Sequence, residues 1–367
     1  MKRKEFLKAC SLFGLSLPFQ KLIVAEKFIN ESATPFKGKV LVIGAGAAGL
    51  AATYYLKQRG ITADLIEASD AIGGRMKVDR NFTDFPLPLG AEWLESKPTV
   101  FDTLVNDEEE KIALQLVADE PDYKFINYSW LQFFEDYILP SIHSQITFQQ
   151  QVKSIDYSEA KIKVNTQDRI WEADYLILAV PLKVLQANMI QFKPLLPSKK
   201  RRLIEEAKIW DGFKAFVKFS KGFYEKDFEF KLQDDQSGQK FIYDATKGQN
   251  SKDFIIGVLA MGKAAKAYQG LSEDGLLQKL LTDLDKKFDQ QASQHYSAHL
   301  VQDWQKEPFI QSGYLSDHAD WRKVKQLQAS VDDRIFFAGG AFTDGEDWVS
   351  VHTAAFSAKQ AVDAIVG

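Results

Sequence analysis

The sequence predicts an α/β protein in which a parallel-sheet domain is interrupted by a smaller α+β domain with a mixed sheet. Three observations carry this. The apolar run Lys39–Ile43 passes through a glycine turn, Gly44–Gly49, into a stretch with helical spacing. Apolar strand patterns of the same kind return in mid-chain at Tyr175–Val180 and near the end at Arg334–Ala338. Between them Phe213–Phe219 alternates, with Phe213, Ala215, Val217 and Phe219 on one face, as in a half-buried strand.

The first thirty residues read as an address. Lys2, Arg3 and Lys4 precede an apolar stretch, Ala9–Phe19, that is too short to span a bilayer as a helix. Arg3-Lys4-Glu5-Phe6-Leu7-Lys8 resembles a twin-arginine export signal in which Lys4 replaces the second arginine. The expectation is export to a periplasm, with a cytoplasmic protein as the alternative. The nearest cleavage candidate ends at Ala25, and Cys10 does not make a lipobox.

From Lys37 the elements follow in order. Ala47–Arg59 is a helix ending at Gly60, and Ala63–Glu67 is the next strand. Ser96–Ile146, polar and aromatic, reads as mainly helical. Val152–Asp156 and Lys161–Asn165 are strands, and Tyr175–Val180 is closed by Pro181. Lys199–Arg202 reads as a solvated basic face at a helix start. Phe254–Ala260 is a strand and Asp274–Phe288 an amphipathic helix. Gly339–Asp347 is a loop, and Val351–Val366 is a helix rich in small residues. The expected domains are residues 37–95, 146–200 and 325–367 for the nucleotide-binding part, and 96–145 and 201–324 for the interrupting part.

The composition suits a large core and argues against nucleic acid. Of 367 residues 45% are hydrophobic, and 46 basic residues against 50 acidic ones give a net charge of -4. The single cysteine, Cys10, excludes an intramolecular disulfide and a cysteine-based metal site. His295 and His299 stand four apart, but no Glu follows His295 and no third ligand is evident, so no metal is expected.

Gly44-Ala45-Gly46-Ala47-Ala48-Gly49 carries the first chemistry. Gly44 permits the tight turn, Gly46 lets backbone approach a pyrophosphate, and Gly49 lets helix and strand pack closely. The helix start offers free N–H groups and a partial positive charge to phosphate. Glu67 ends the next strand, 23 residues after Gly44, where a carboxylate can accept ribose hydroxyls. This is a Rossmann-like dinucleotide fingerprint. Gly73-Gly74-Arg75 then adds a cation and bare backbone for a second approach to the pyrophosphate.

Ala68-Ser69-Asp70-Ala71-Ile72-Gly73-Gly74-Arg75 resembles the segment that marks the flavin amine oxidase family, which includes monoamine, polyamine and L-amino acid oxidases. Leu89-Gly90-Ala91-Glu92-Trp93 is similar to that family's loop beside the isoalloxazine ring. Gln151–Ile155 is similar to the strand that holds the adenine end, here through Val152. Ala179–Leu185, Phe192–Pro197, Trp304 with Pro308, Gly313 and Tyr314, Phe336–Gly339 and Ser350–Ala354 continue the likeness to the C-terminus.

The resemblance implies a glutathione-reductase-type FAD domain and non-covalent FAD, no cysteine lying near a flavin segment. It assigns cofactor contacts to Gly44, Gly46, Ala48, Gly49, Glu67, Ala68, Gly74, Arg75, Gly90, Ala91, Glu92, Trp93, Val152, Gly339, Gly340, Val351 and Ala354. It assigns the catalytic lysine to Lys214, which precedes Phe223-Tyr224 by the family's spacing and holds a water against flavin N5. By itself Lys214 would be a lysine on the outer face of a strand, as would Lys218. Trp304, Trp348 and Ser350 are the candidates for the substrate pocket. The implied reaction is hydride transfer from an amine carbon to flavin N5, imine hydrolysis, and reoxidation by oxygen or another acceptor.

The chain departs from the family at four points. Only 58 residues separate Trp93 from Val152, where typical members build much of the substrate domain. Gly340 stands where a glutamate is usual, with Asp344 and Glu346 nearby. Pro88 replaces an acidic residue two before Gly90, against a polyamine substrate. Trp93 stands where L-amino acid oxidases place an arginine, against an amino acid. Glu92 and Glu95 could attract an ammonium or simply be solvated. Two alternatives follow: a desaturase of the phytoene-desaturase or protoporphyrinogen-oxidase type, or a flavin-binding accessory protein without catalysis.

Overall fold

A computed structural model describes residues 36–105, 112–116, 122–316, 320–343 and 349–367. The N-terminal address therefore lies outside the described residues. So do Trp348, Asp344 and Glu346.

The parallel sheet runs in the order Ile335–Phe337, Tyr175–Leu178, Val40–Ile43, Asp64–Ile66, Ile146–Thr147. Its central strand, Val-Leu-Val-Ile, is buried throughout, as a parallel strand covered on both faces must be. The helices Ala47–Gln58 and Val351–Val366 pack on one another, which small residues such as Ala51, Ala52, Ala355 and Ala358 permit. A four-stranded sheet, Ile170–Ala173, Ile162–Asn165, Ser154–Asp156, Gln191–Lys193, is antiparallel except for its last, parallel pair. One apolar core joins both sheets and also takes in Leu203, Ile204, Leu315, Val324 and Leu327.

The third large sheet is antiparallel throughout, in the order Glu229–Asp235, Gly238–Asp244, Phe254–Gly262, Gly212–Phe219, Tyr296–Asp303. Phe213, Ala215 and Val217 on one face pack with Leu280 and Leu284 of the helix Glu273–Asp285. Phe216 on the other face packs with Phe85, Leu87 and Leu89. Both faces are therefore covered, and the strand is not half-buried as its alternation suggests.

Two further expectations are refined. Among the described residues of 96–146 helix occupies Val100–Val105 and the stretch from Trp130 to Ile142, but Leu114–Leu116 and Asp122–Phe125 form a three-stranded antiparallel sheet with Trp93–Glu95. Lys199–Arg202 is not a wholly solvated face. Lys200 is buried and donates to Leu327 O and Ala329 O, 2.5 Å each, at the end of the helix Trp321–Gln328, with Phe337 3.9 Å beneath its ammonium. His295 closes the short helix Gln291–His295, whereas His299 lies on the next strand, 2.8 Å from the Tyr296 hydroxyl.

Candidate active site

The glycine turn is built as its spacing requires. Gly44 has φ +100°, and a Cβ there would stand 2.7 Å from Ala179 O. A Cβ at Gly49 would stand 1.7 Å from Gly44 O, so only glycine lets the helix start this close to the strand. Gly46 caps the helix Ala47–Gln58 and has open space where its Cβ would be. The Glu67 carboxylate accepts from Ala45 N at 2.6 Å, and from Ser69 N at 2.9 Å and Ser69 Oγ at 2.8 Å. Glu67 is thus tied to the turn by its own side chain.

The second glycine pair lies against the first. Gly73 N donates to Ala45 O at 2.8 Å, and Gly73 bridges Gly46. Arg75 donates to Gly313 O and forms no ion pair among the described residues, while burial pulls its guanidinium down to about 10. A partly buried cation without a counter-charge, beside bare glycine backbone and a helix N-terminus, is the donor set that a diphosphate requires. The residues present therefore fit a dinucleotide.

The third segment continues from Arg75. Ala91 N donates to Arg75 O at 3.0 Å, and a Cβ at Gly90 would stand 1.9 Å from the same oxygen. Trp304 is buried with its ring edge against Gly90 and Gly212, which makes it a support for the loop. Ala48, Val152, Val351 and Ala354 are buried, and Ala68 is half-buried. Gly339 N donates to Ser357 Oγ at 2.8 Å, and a Cβ at the buried Gly340 would stand 2.8 Å from Val349 Cγ1. Ser350 caps the helix Val351–Val366 in a capping box with Thr353, and its Oγ lies 2.8 Å from His352 Nδ1. Gly44, Glu67 and Gly339 follow the C-terminal ends of three strands of the parallel sheet, the edge where open α/β sheets take ligands.

Lys214 is not on an outward face. It is 1% exposed, because residues 82–93 cover its side of the strand. Its ammonium donates to Pro88 O at 2.9 Å, Gly90 O at 3.1 Å and Glu92 Oε2 at 2.5 Å. Glu92, 2% exposed, is neither solvated nor free for a substrate. It also accepts from Tyr243 Oη at 2.7 Å, and its other oxygen lies 3.1 Å from Lys124 Nζ. Lys124, 3% exposed, donates to Ala245 O at 2.8 Å. Trp93 lies 5.2 Å from the Lys214 ammonium, meets Tyr243 edge-on at 5.3 Å and accepts from Trp130 through its carbonyl.

The charges in this cluster hold one another. Burial by itself would raise Glu92, but Lys214 and Lys124 bring it below the usual carboxylate range. Burial lowers Lys214, and Glu92 offsets part of that. Burial and then Glu92 push Tyr243 well above its ordinary value, so it stays a neutral donor. The sequence carries no signal for Lys124 or Tyr243. Both belong to the site only through sheet packing.

Two family models match the chain: one described as flavin containing amine oxidoreductase, over residues 135–366, and one described as an NAD(P)-binding Rossmann-like domain, over residues 42–106. Lysine-specific histone demethylase 2 of Homo sapiens is 23% identical, with 89% of this chain and 52% of that protein covered. Polyamine oxidase 1 of Zea mays is 25% identical, with 61% and 46% covered. The chain spans about half or less of the length of the first curated relatives it matches. Among solved structures, putrescine oxidase bound to putrescine superposes with a TM-score of 0.68 at 15% identity, covering 89% of this chain and 98% of that one. That likeness is one of fold.

Proposed function

This chain belongs to the flavin containing amine oxidoreductase family, and we propose that it is an FAD-dependent enzyme oxidising a small amine. The observation that carries the reading is continuity. The glycine turn, Arg75 with no counter-charge among the described residues, the Gly90 loop and the buried Lys214 follow one another through direct hydrogen bonds. When bound, FAD accepts the hydride from the amine carbon, leaving an imine that water hydrolyses.

The chain's own groups supply the rest. Gly46, Gly74 and Arg75 would hold the diphosphate, Glu67 the ribose, and Gly90 to Trp93 the ring. Lys214 would place a fixed positive charge beneath the Gly90 loop. Polyamine and putrescine oxidases among the relatives support an alkyl amine or diamine as substrate. Oxygen is one acceptor consistent with this chemistry. The basic, apolar N-terminal segment supports export, which fractionation of the expressed chain would test.

Anaerobic titration of the purified yellow protein with chemically varied amines tests the proposal. Bleaching of the flavin band by an amine is expected. A second reading, a flavin-binding protein without turnover, is favoured by one observation: all three N–H groups of Lys214 are engaged, so none is left to hold a water. Fully bound FAD that no amine reduces would select it.

A further inference from the structure

Lys124 is a group that the proposed reaction does not use, and its burial demands an explanation. A Lys214–Glu92 pair would be neutral by itself. Lys124 Nζ stands 3.1 Å from the same carboxylate, and all three side chains are at most 4% exposed. Lys214 must be an ammonium, because a neutral amine would turn a lone pair toward one of its three oxygen partners. Tyr243 contributes a neutral hydroxyl. Among the groups in direct contact, two ammoniums and one carboxylate leave one surplus positive charge in a low-dielectric interior; the next acid, Glu229, interacts with Glu92 and Tyr243 from outside that contact set and is itself raised by burial. An uncompensated buried charge costs several kcal/mol.

We propose that Lys124, acting through Glu92, is a positioning residue whose surplus charge makes the site prefer the reduced flavin over the oxidised one. The inference rests on the flavin reading above. At neutral pH two electrons arrive on the flavin with one proton, so the reduced cofactor carries one more negative charge. Lys214, fixed against Pro88 O and Gly90 O, brings the surplus to the loop that would face the ring. Lys124 comes from Asp122–Phe125, within the segment whose shortness marks this chain.

The test is the flavin midpoint potential of the holoenzyme, equilibrated with reference dyes, which reports relative affinity for the two redox states independently of turnover. In Lys124→Met the preference for reduced over oxidised FAD should fall about tenfold, ~30 mV for a two-electron couple. Lys124→Arg should restore most of it, and Lys218→Met, altering a half-buried lysine paired with Asp253, should leave it unchanged. If Lys124→Met retains no FAD, Glu92→Gln decides, and its potential should rise. An unmoved or oppositely moved potential in either variant overturns the inference while the flavin reading stands. A wild-type chain that takes up no FAD overturns the flavin reading itself, and this inference with it.

Discussion

Lys214 Nζ lies 2.5 Å from Glu92 Oε2, and its two remaining N–H groups go to the carbonyls of Pro88 and Gly90. The residue expected to hold a water is the centre of a closed hydrogen-bond set made with protein partners. Its charge is fixed by geometry, and the Gly90 loop is fixed in return. Lys214 thus joins the antiparallel sheet to a loop that leaves the nucleotide-binding turn.

The carboxylate at the centre of this set predicts a large stability effect. Glu92→Ala leaves Lys214 and Lys124 buried without a counter-charge, at a cost of about 3–5 kcal/mol. Lys218→Met, on the same strand, removes a partly exposed pair with Asp253 and should cost about 1 kcal/mol or less. Urea unfolding of both variants gives the comparison. Equal losses would mean that the cluster does not carry the charge arrangement described.

Arg75 predicts a binding effect. Its guanidinium is drawn down to about 10 by burial and has a carbonyl partner but no acid among the described residues. Arg75→Ala should still fold, judged by circular dichroism, yet bind FAD at least ~30-fold more weakly, since losing one partner of a charge-assisted contact costs about 2 kcal/mol or more. Fluorescence titration of the apoprotein measures this. Unchanged affinity would remove Arg75 from the diphosphate site.

The parts of the site that are local in sequence could be read there. Gly44, Gly46 and Gly49 are dictated by close backbone approach within one turn, and Glu67 by the end of the next strand. The long helix Val351–Val366 showed in its small-residue spacing. What stayed hidden depends on which segment covers which face. The alternation of Phe213, Ala215, Val217 and Phe219 revealed one apolar face of the strand. That residues 82–93 would cover the other, and bury Lys214, has no periodic signature. Strands of three and four residues, Leu114–Leu116 and Asp122–Phe125, are too short to show a period at all, so Lys124 could not be placed.

Lys200 predicts that one lysine in a basic run is structural. It satisfies two carbonyls at the end of the helix Trp321–Gln328 and lies over Phe337. Lys200→Met should cost about 1–3 kcal/mol by leaving those carbonyls unpaired. Lys199→Met, at an exposed position one residue away, should fall within about 0.5 kcal/mol of wild type. Chemical denaturation of the two variants separates a buried cap from a solvated face.

Asp283 predicts a pH dependence with a definite sign. Burial by itself would raise its carboxyl, but hydrogen bonds from Lys279 (2.5 Å), Lys240 (2.9 Å) and Tyr268 (2.8 Å) bring it down to about 2. In the unfolded chain an aspartate titrates near ~3.9. The folded state therefore binds fewer protons between these values. Its stabilising effect is complete above the unfolded value and is lost as pH falls toward about 2. Asp283→Asn should lower the melting temperature at neutral pH, and the gap to wild type should close between pH ~4 and ~2. A gap that stays constant across that window would mean that the carboxylate's charge is not what ties Gly238–Asp244 to the helix Glu273–Asp285.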